Sequence, residues 1–215
     1  MEMALEIYRR LAPRFSQAVL LAEPVFMKEF AEEIFAGRGG VSLPPTACYV
    51  GGEWVSESWR SHVGDLFSMP RASEQSPAGI LVSMGAAEIG LGLLGETPAL
   101  RTARAALDDA DGRRAVFGTE GYTPSLFTYD PRRFHIESRR HDDGATTLAV
   151  TTLGRRMLPL IRYDLDDLGE HVPAEAINAE LRRRGLAARV EDPVVAVWGR
   201  RTDVARGPGW TLRPE

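Results

Sequence analysis

Strand-like and helix-like segments alternate through the first half of this 215-residue chain, and the alternation stops near Asp111. Residues 2–11 have a helical pattern, and residues 16–22 form an apolar run that reads as a buried strand. Pro24 suits the first position of a helix that ends at Gly37, with Val25, Phe26, Phe30 and Ile34 as its apolar stripe. A short strand over 47–50 runs into Gly51-Gly52-Glu53-Trp54, and Ser56 is placed to cap a helix carrying Trp59, Val63 and Leu66. A loop rich in Ser, Pro and Gly over 68–79 leads to a second buried strand over 80–84. This order predicts a parallel sheet with ligands at the C-terminal ends of its strands.

Beyond Asp111, Pro124, Pro131, Gly144 and Gly154 punctuate runs of β formers over 126–129, 134–136, 147–152 and 158–163. A hairpin-rich, mostly antiparallel region is expected there, then a helix over 173–184 and a strand over 194–198. The predicted fold class is therefore α/β, a parallel sheet with flanking helices followed by an antiparallel β-rich subdomain. The divisions expected are 1–115, 116–198 and a C-terminal segment, 199–215.

With 44% hydrophobic residues and a formal charge of −4, the chain can bury one substantial core or two small ones, and nothing favours nucleic acid as a partner. No apolar run is long enough to span a membrane, and the first twenty residues lack the pattern of a signal peptide. Cys48 is the only cysteine, which excludes an internal disulfide and suits a reducing cytoplasm. Lys28 is the only lysine. It falls on the helix after Pro24, where a solvated position is expected, so chemistry that needs an active-site lysine must obtain it elsewhere.

The segment from Thr151 to Glu170 holds an apolar strand, then Arg162-Tyr163, then acids at Asp164, Asp166 and Asp167. As a bare pattern this is a strand leading into a solvated turn; an acid at a strand end also suits two adjacent hydroxyls. The residue order resembles the ribose-binding motif of adenylate-forming enzymes, in the branch of phenylacetate-coenzyme A ligases. The match runs through Thr151, Thr152, Leu153, Pro159 to Tyr163 and Asp167, and it departs at Asp166, where the family has glycine.

Three further segments follow in family order. Met84-Gly85-Ala-Ala-Glu88 is similar to the segment in which glycine admits the nucleotide and glutamate helps hold Mg²⁺. Carboxylate oxygens suit that hard cation. Without the family order, Glu88 would be read as an ordinary helix-start acid. Met84 departs from the family's aromatic residue. Gly52-Glu53 resembles a turn of the adenine and acyl pockets, although it also reads as a glycine turn closing a strand. Gly199-Arg200-Arg-Thr-Asp203 resembles the hinge before a small C-terminal domain, with Asp203 as pivot and Arg200 near ribose or phosphate; alone, it reads as a loop.

The resemblance implies ATP and Mg²⁺, coenzyme A as acyl acceptor, and a small, possibly aromatic carboxylic acid as substrate. It also implies parts not found in this sequence. The family's phosphate-cradling loop is Ser/Thr/Gly-rich, whereas Gly37 to Gly40 is short and lacks hydroxyls. The family's small domain supplies a catalytic lysine. The expectation is a ligase portion with little activity alone, to which a companion chain would add the missing pieces. The alternatives are a non-catalytic nucleotide- or acyl-binding relative and a remnant serving as an interaction module. The four histidines lack metal-ligand spacing, Arg132-Arg133 and Arg182 to Arg184 read as solvated or helix-end charges, and Glu120 has no assigned role.

Overall fold

The computed structural model describes residues 1–36, 44–69, 79–119, 121–154, 159–201, 205–207 and 210–212. Gly37 to Gly40, Glu120 and Asp203 lie outside the described residues. The chain divides into two compact units, Met1–Gly85 and Ala86–Glu215.

The first unit is built on three parallel strands, β1 (Ala18–Ala22), β2 (Thr46–Gly51) and β3 (Ile80–Ala86), with β2 in the middle. Helices α1 (Glu2–Leu11), α2 (Pro24–Ala36) and α3 (Glu57–Leu66) accompany them. Leu5, Tyr8, Ala12, Phe30 and Ile34 form a small core against which Ala18 and Leu20 of β1 pack. Tyr8 adds a 2.6 Å hydroxyl contact to Thr46 Oγ1. Ser56 caps α3 as expected, accepting from the Trp59 N–H at 3.1 Å.

Two details differ from the sequence reading. β1 is covered on one side only, so Val19 and Leu21 are 55% and 72% exposed instead of buried. The inward stripe of α2 is Pro24, Met27, Phe30, Ala31 and Ile34, while Val25 and Phe26 face outward. An apolar run marks a strand or a helix without saying which of its faces another element covers. Cys48 is fully buried on β2, and burial pushes its thiol up to about 12.

In the second unit, a turn closed by the Ile89 N–H donating to Ala86 O at 2.9 Å leads into β4 (Gly90–Gly95). Glu88 therefore stands in a tight turn and does not begin a helix. Helices α4 (Pro98–Ala106) and α5 (Ala110–Phe117) follow, capped by Thr97 and Asp109. Next come β5 (Ser125–Phe127), β6 (Phe134–Arg140), β7 (Thr146–Thr152) and β8 (Tyr163–His171). Helix α6 (Ala174–Arg183) and strand β9 (Val195–Arg200) complete the main body. The five strands form one antiparallel sheet in the order β5-β9-β8-β7-β6. A short ribbon, β10 (Ala205–Gly207) with β11 (Trp210–Leu212), comes after it.

The architecture is α/β, parallel strands with helices and then an antiparallel sheet, as the change of texture predicts. The strand expected over 158–163 is the main discrepancy. Its described residues, 159–162, are irregular, and β8 begins where that strand was expected to end. The acids thus lie within a strand and not in a turn after one.

Leu100, Ala103, Leu107, Leu126, Ile177 and Leu181 centre the core of this unit, joining α4 and α6 to the sheet. Gly169 of β8 is required by close approach, since a Cβ there would lie 2.8 Å from Ala196 O and 2.9 Å from Leu148 Cγ. Arg184, expected as a solvated helix-end charge, instead ties helices together. It reaches Glu180 at 2.7 Å, Asp109 at 2.5 Å and Ala106 O at 2.5 Å.

Two outcomes follow for stability. Leu181→Ala removes a fully buried side chain and is expected to cost about 2–5 kcal/mol in urea unfolding. Glu180 is held down to about 2, from an ordinary 4.5, by Arg183 and then Arg184. A depressed carboxyl contributes stability above its unfolded-state value and loses it as the pH falls through the folded value. The melting temperature should therefore fall as pH drops from about 4.5 towards about 2. Glu180→Gln should flatten that acid limb, and an unchanged limb would show that Glu180 does not carry it.

Candidate functional site

The hydroxyls of Thr151 and Thr152 give the connection between β7 and β8 its shape. The Thr152 N–H donates to Leu160 O at 2.9 Å, and the Leu160 N–H returns to Thr152 Oγ1 at 3.1 Å. The Arg162 N–H donates to Thr151 Oγ1 at 2.9 Å. These bonds satisfy backbone groups that the ladder leaves unpaired, and they hold Arg162 in the left-handed region at φ 51°. The two halves of the T-T-L and P-L-I-R-Y pattern are thus hydrogen-bonded to each other. Tyr163, the first residue of β8, is aimed by this brace.

Tyr163 donates its hydroxyl proton to Glu88 Oε1 at 3.0 Å, joining residues 75 positions apart. Glu88's own backbone N–H, then Tyr163, then Arg200 hold its carboxyl below the usual range. The same bond to Glu88 pushes the Tyr163 phenol up. Arg200, at the end of β9, is paired in register with Asp167 of β8, and its Nε lies 3.7 Å from Asp167 Oδ1. The Asp167 side chain is only 9% exposed, while that of Arg200 is 64% exposed. Arg200 therefore acts electrostatically on both carboxylates, Glu88 and Asp167.

Asp166 explains its own departure from glycine. Its φ is 59°, a left-handed conformation that glycine adopts freely and that Asp and Asn tolerate best among other residues. The Asp166 N–H donates to Asp164 Oδ1 at 3.0 Å, and its carbonyl accepts from the Arg201 N–H at 2.8 Å. Arg201 also contacts His141 Nδ1 at 3.3 Å and donates to Asp143 Oδ2 at 3.1 Å, on the β6–β7 turn. Asp164 meets Arg139 at 3.2 Å and His141 at 3.5 Å. The start of the hinge-like segment is thereby fastened to β8 and to that turn.

The predicted site residues are divided between the two units. Glu88, Asp167 and Arg200 share the second unit and are linked as described. Gly52, Glu53, Met84 and Gly85 belong to the first. There Gly52 has φ 96°, Glu53 is exposed, and Met84 is half-buried near the end of β3. Asp203, the hinge candidate, lies outside the described residues. Tyr163 and Arg201 were not among the predicted site residues. The signal for Tyr163 was present in the Arg-Tyr of the motif, whereas nothing in local sequence links Arg201 to residues about 60 positions earlier. Among the described residues, no group of three His, Cys, Asp or Glu could hold a metal ion.

No protein-family model and no curated protein matches the chain. Among solved structures it is similar to one described as the adenylation domain of a keto acid-selecting NRPS module bound to keto acyl adenylate. The TM-score is 0.53 at 12% identity. The likeness is one of fold, to part of that domain. The match covers 99% of this chain and 40% of the other, so the chain spans well under half of that protein's length. Among the described residues, no helix is long and apolar enough to cross a membrane.

The left-handed turn at Asp166 generates a specific expectation. Asp166→Gly should be tolerated, whereas Asp166→Val should cost about 1–3 kcal/mol in denaturant unfolding, because a β-branched side chain is strained at positive φ. Equal stability of the two variants would show that this position does not require the left-handed conformation.

Proposed function

We propose that this chain is part of an ATP-dependent carboxylate-activating ligase. One observation carries the reading: Glu88 and Asp167, 79 residues apart in sequence, share one unit with Arg200 acting on both. The order of motifs and the adenylation-domain fold support it. In the proposed role, Asp167 accepts the ribose hydroxyls, Arg200 faces phosphate, and Glu88 is the chain's magnesium carboxylate. On the first unit, Gly52, Glu53, Met84 and Gly85 are the proposed adenine- and acyl-side residues, and Asp203 is the proposed pivot.

The residues fit magnesium held in a nucleotide complex. Mg²⁺ commonly keeps waters and binds through one or two carboxylates together with substrate phosphates, so a single exposed glutamate suffices and a protein-only cage is not needed. Bound there, it would neutralise charge on the phosphate oxygens. The substrate carboxylate oxygen attacks the α-phosphorus. The acyl–phosphate bond forms, the α–β anhydride bond breaks, and pyrophosphate leaves. A thiol, with coenzyme A the proposed acceptor, then attacks the acyl carbon; AMP leaves and the thiol proton passes to solvent. AMP is a far better leaving group than hydroxide, which is the chemical reason for the first step. The keto acyl adenylate in the similar structure supports a small carboxylic acid as substrate.

Lys28 favours a second reading. The chain's single lysine is 3.1 Å from Glu32 on the outer part of α2, its side chain 45% exposed. A lysine committed to a surface ion pair on its own helix fits a chain that binds nucleotide without activating an acid by itself.

Calorimetry with AMP and ATP tests the binding role. Asp167→Ala should weaken both by about 10-fold to 150-fold, the equivalent of about 1.5–3 kcal/mol for one charged hydrogen bond lost. Unchanged affinity would remove Asp167 from the site. Labelled pyrophosphate exchange, run with a panel of aromatic and aliphatic acids, tests the chemistry. Little exchange is expected from this chain alone, because each missing electrostatic partner costs on the order of 10²–10³ in rate. Robust exchange would overturn the assignment of missing parts. Exchange restored by a companion fragment would support the ligase reading over the binding one.

A further inference from the structure

We infer that Tyr163 is a positioning residue for Glu88, fixing that carboxylate's orientation toward a metal-bound triphosphate. The inference rests on the ligase reading above and adds a residue and a specificity to it. Three features of the fold carry it. First, the Tyr163 hydroxyl donates to Glu88 Oε1 at 3.0 Å, so the carboxylate is tied to a residue 75 positions away in sequence. Second, Glu88 stands in the turn between β3 and β4, where its backbone is short and tight, but a glutamate side chain still has three rotatable bonds. A partner from a different element adds to the hold of Glu88's own backbone N–H in selecting one rotamer, and the loss of that freedom is then met before ligand arrives. Third, Tyr163 is itself held. The Thr151 and Thr152 hydroxyls fix the chain at 160–162, and Tyr163 is in register with Val150 of β7.

The consequence is selective. A ligand carrying β- and γ-phosphates with Mg²⁺ engages Glu88, whereas AMP draws mainly on the ribose and α-phosphate side, at Asp167 and Arg200. Tyr163 therefore acts on the preference for Mg²⁺-ATP over AMP more than on nucleotide affinity as a whole. A tyrosine that only packed the start of β8 would change both affinities together.

The test uses the full chain and the variants Tyr163→Phe and Thr151→Val. In the ligand-free protein, the side-chain carboxyl ¹³C resonance of Glu88 should move in Tyr163→Phe, as the hydrogen bond is lost while the ring remains. Calorimetry with AMP, and with ATP at several Mg²⁺ concentrations, should show the ATP-to-AMP affinity ratio falling about 3- to 10-fold, the size of one ordinary hydrogen bond. Thr151→Val should move the ratio in the same direction, because it loosens the brace without touching Glu88. An unmoved Glu88 resonance, or equal loss of both affinities, would overturn the positioning role while leaving the ligase reading intact. If the unaltered chain binds neither nucleotide, the ligase reading falls and this inference falls with it.

Discussion

The arrangement of the second unit depends on how β8 begins. β8 is the central strand of the five, bonded to β7 on one side and β9 on the other. It does not start from a regular hairpin. Two threonine hydroxyls on β7 take backbone N–H groups from the incoming chain and hold Arg162 in a left-handed turn. A second left-handed residue, Asp166, lies four positions on; the ladder with β7 slips between Asp164 and Leu168, and the ladder with β9 only after Leu168. Each left-handed residue redirects the side chains after it. Tyr163 is thus turned to Glu88, Asp164 to Arg139 and His141, and Asp167 to Arg200. A regular strand alternates its side chains strictly between two faces, and strict alternation could not send acids at 164, 166 and 167 to three different sets of partners.

Much of the architecture was legible because it rests on local signals. The proline opening α2, the serine capping α3 and the proline- and glycine-bounded β runs each act over a few residues. What could not be read depends on partners distant in sequence. The apolar run 158–163 looked like a strand because its composition is that of one. The threonine brace, which involves residues up to eleven positions earlier, decides otherwise. Arg184 looked like a helix-end charge until α5 supplied Asp109, 75 residues away. Val19 and Leu21 are apolar and still exposed, because the sequence names the residues of a sheet face without naming its cover.

The candidate site divides along the same line. Motif order alone placed Glu88 and Asp167 in one expected site, and the structure gives them a shared electrostatic neighbour in Arg200. The motif's physical content became clear only with the backbone angles. Asp166 has φ 59°, a conformation that glycine and aspartate are both among the residues to accept. The gain over glycine is a carboxylate 4.0 Å from Arg201, the residue that also reaches the β6–β7 turn.

The use of arginine in this unit follows from that geometry. A guanidinium keeps its charge and presents several donors in a fixed fork, so one side chain can hold two or three acceptors in a set relation. Arg184 does this between α5 and α6, and Arg201 does it between the β6–β7 turn and the start of the hinge-like segment. Lysine, a compact point charge on a flexible stem, suits a group that must travel to a reacting centre. The second unit contains no lysine, and several of its arginines hold carboxylates in place. Arg200, with 64% of its side chain exposed, stands beside the buried carboxylate of Asp167 in that arrangement.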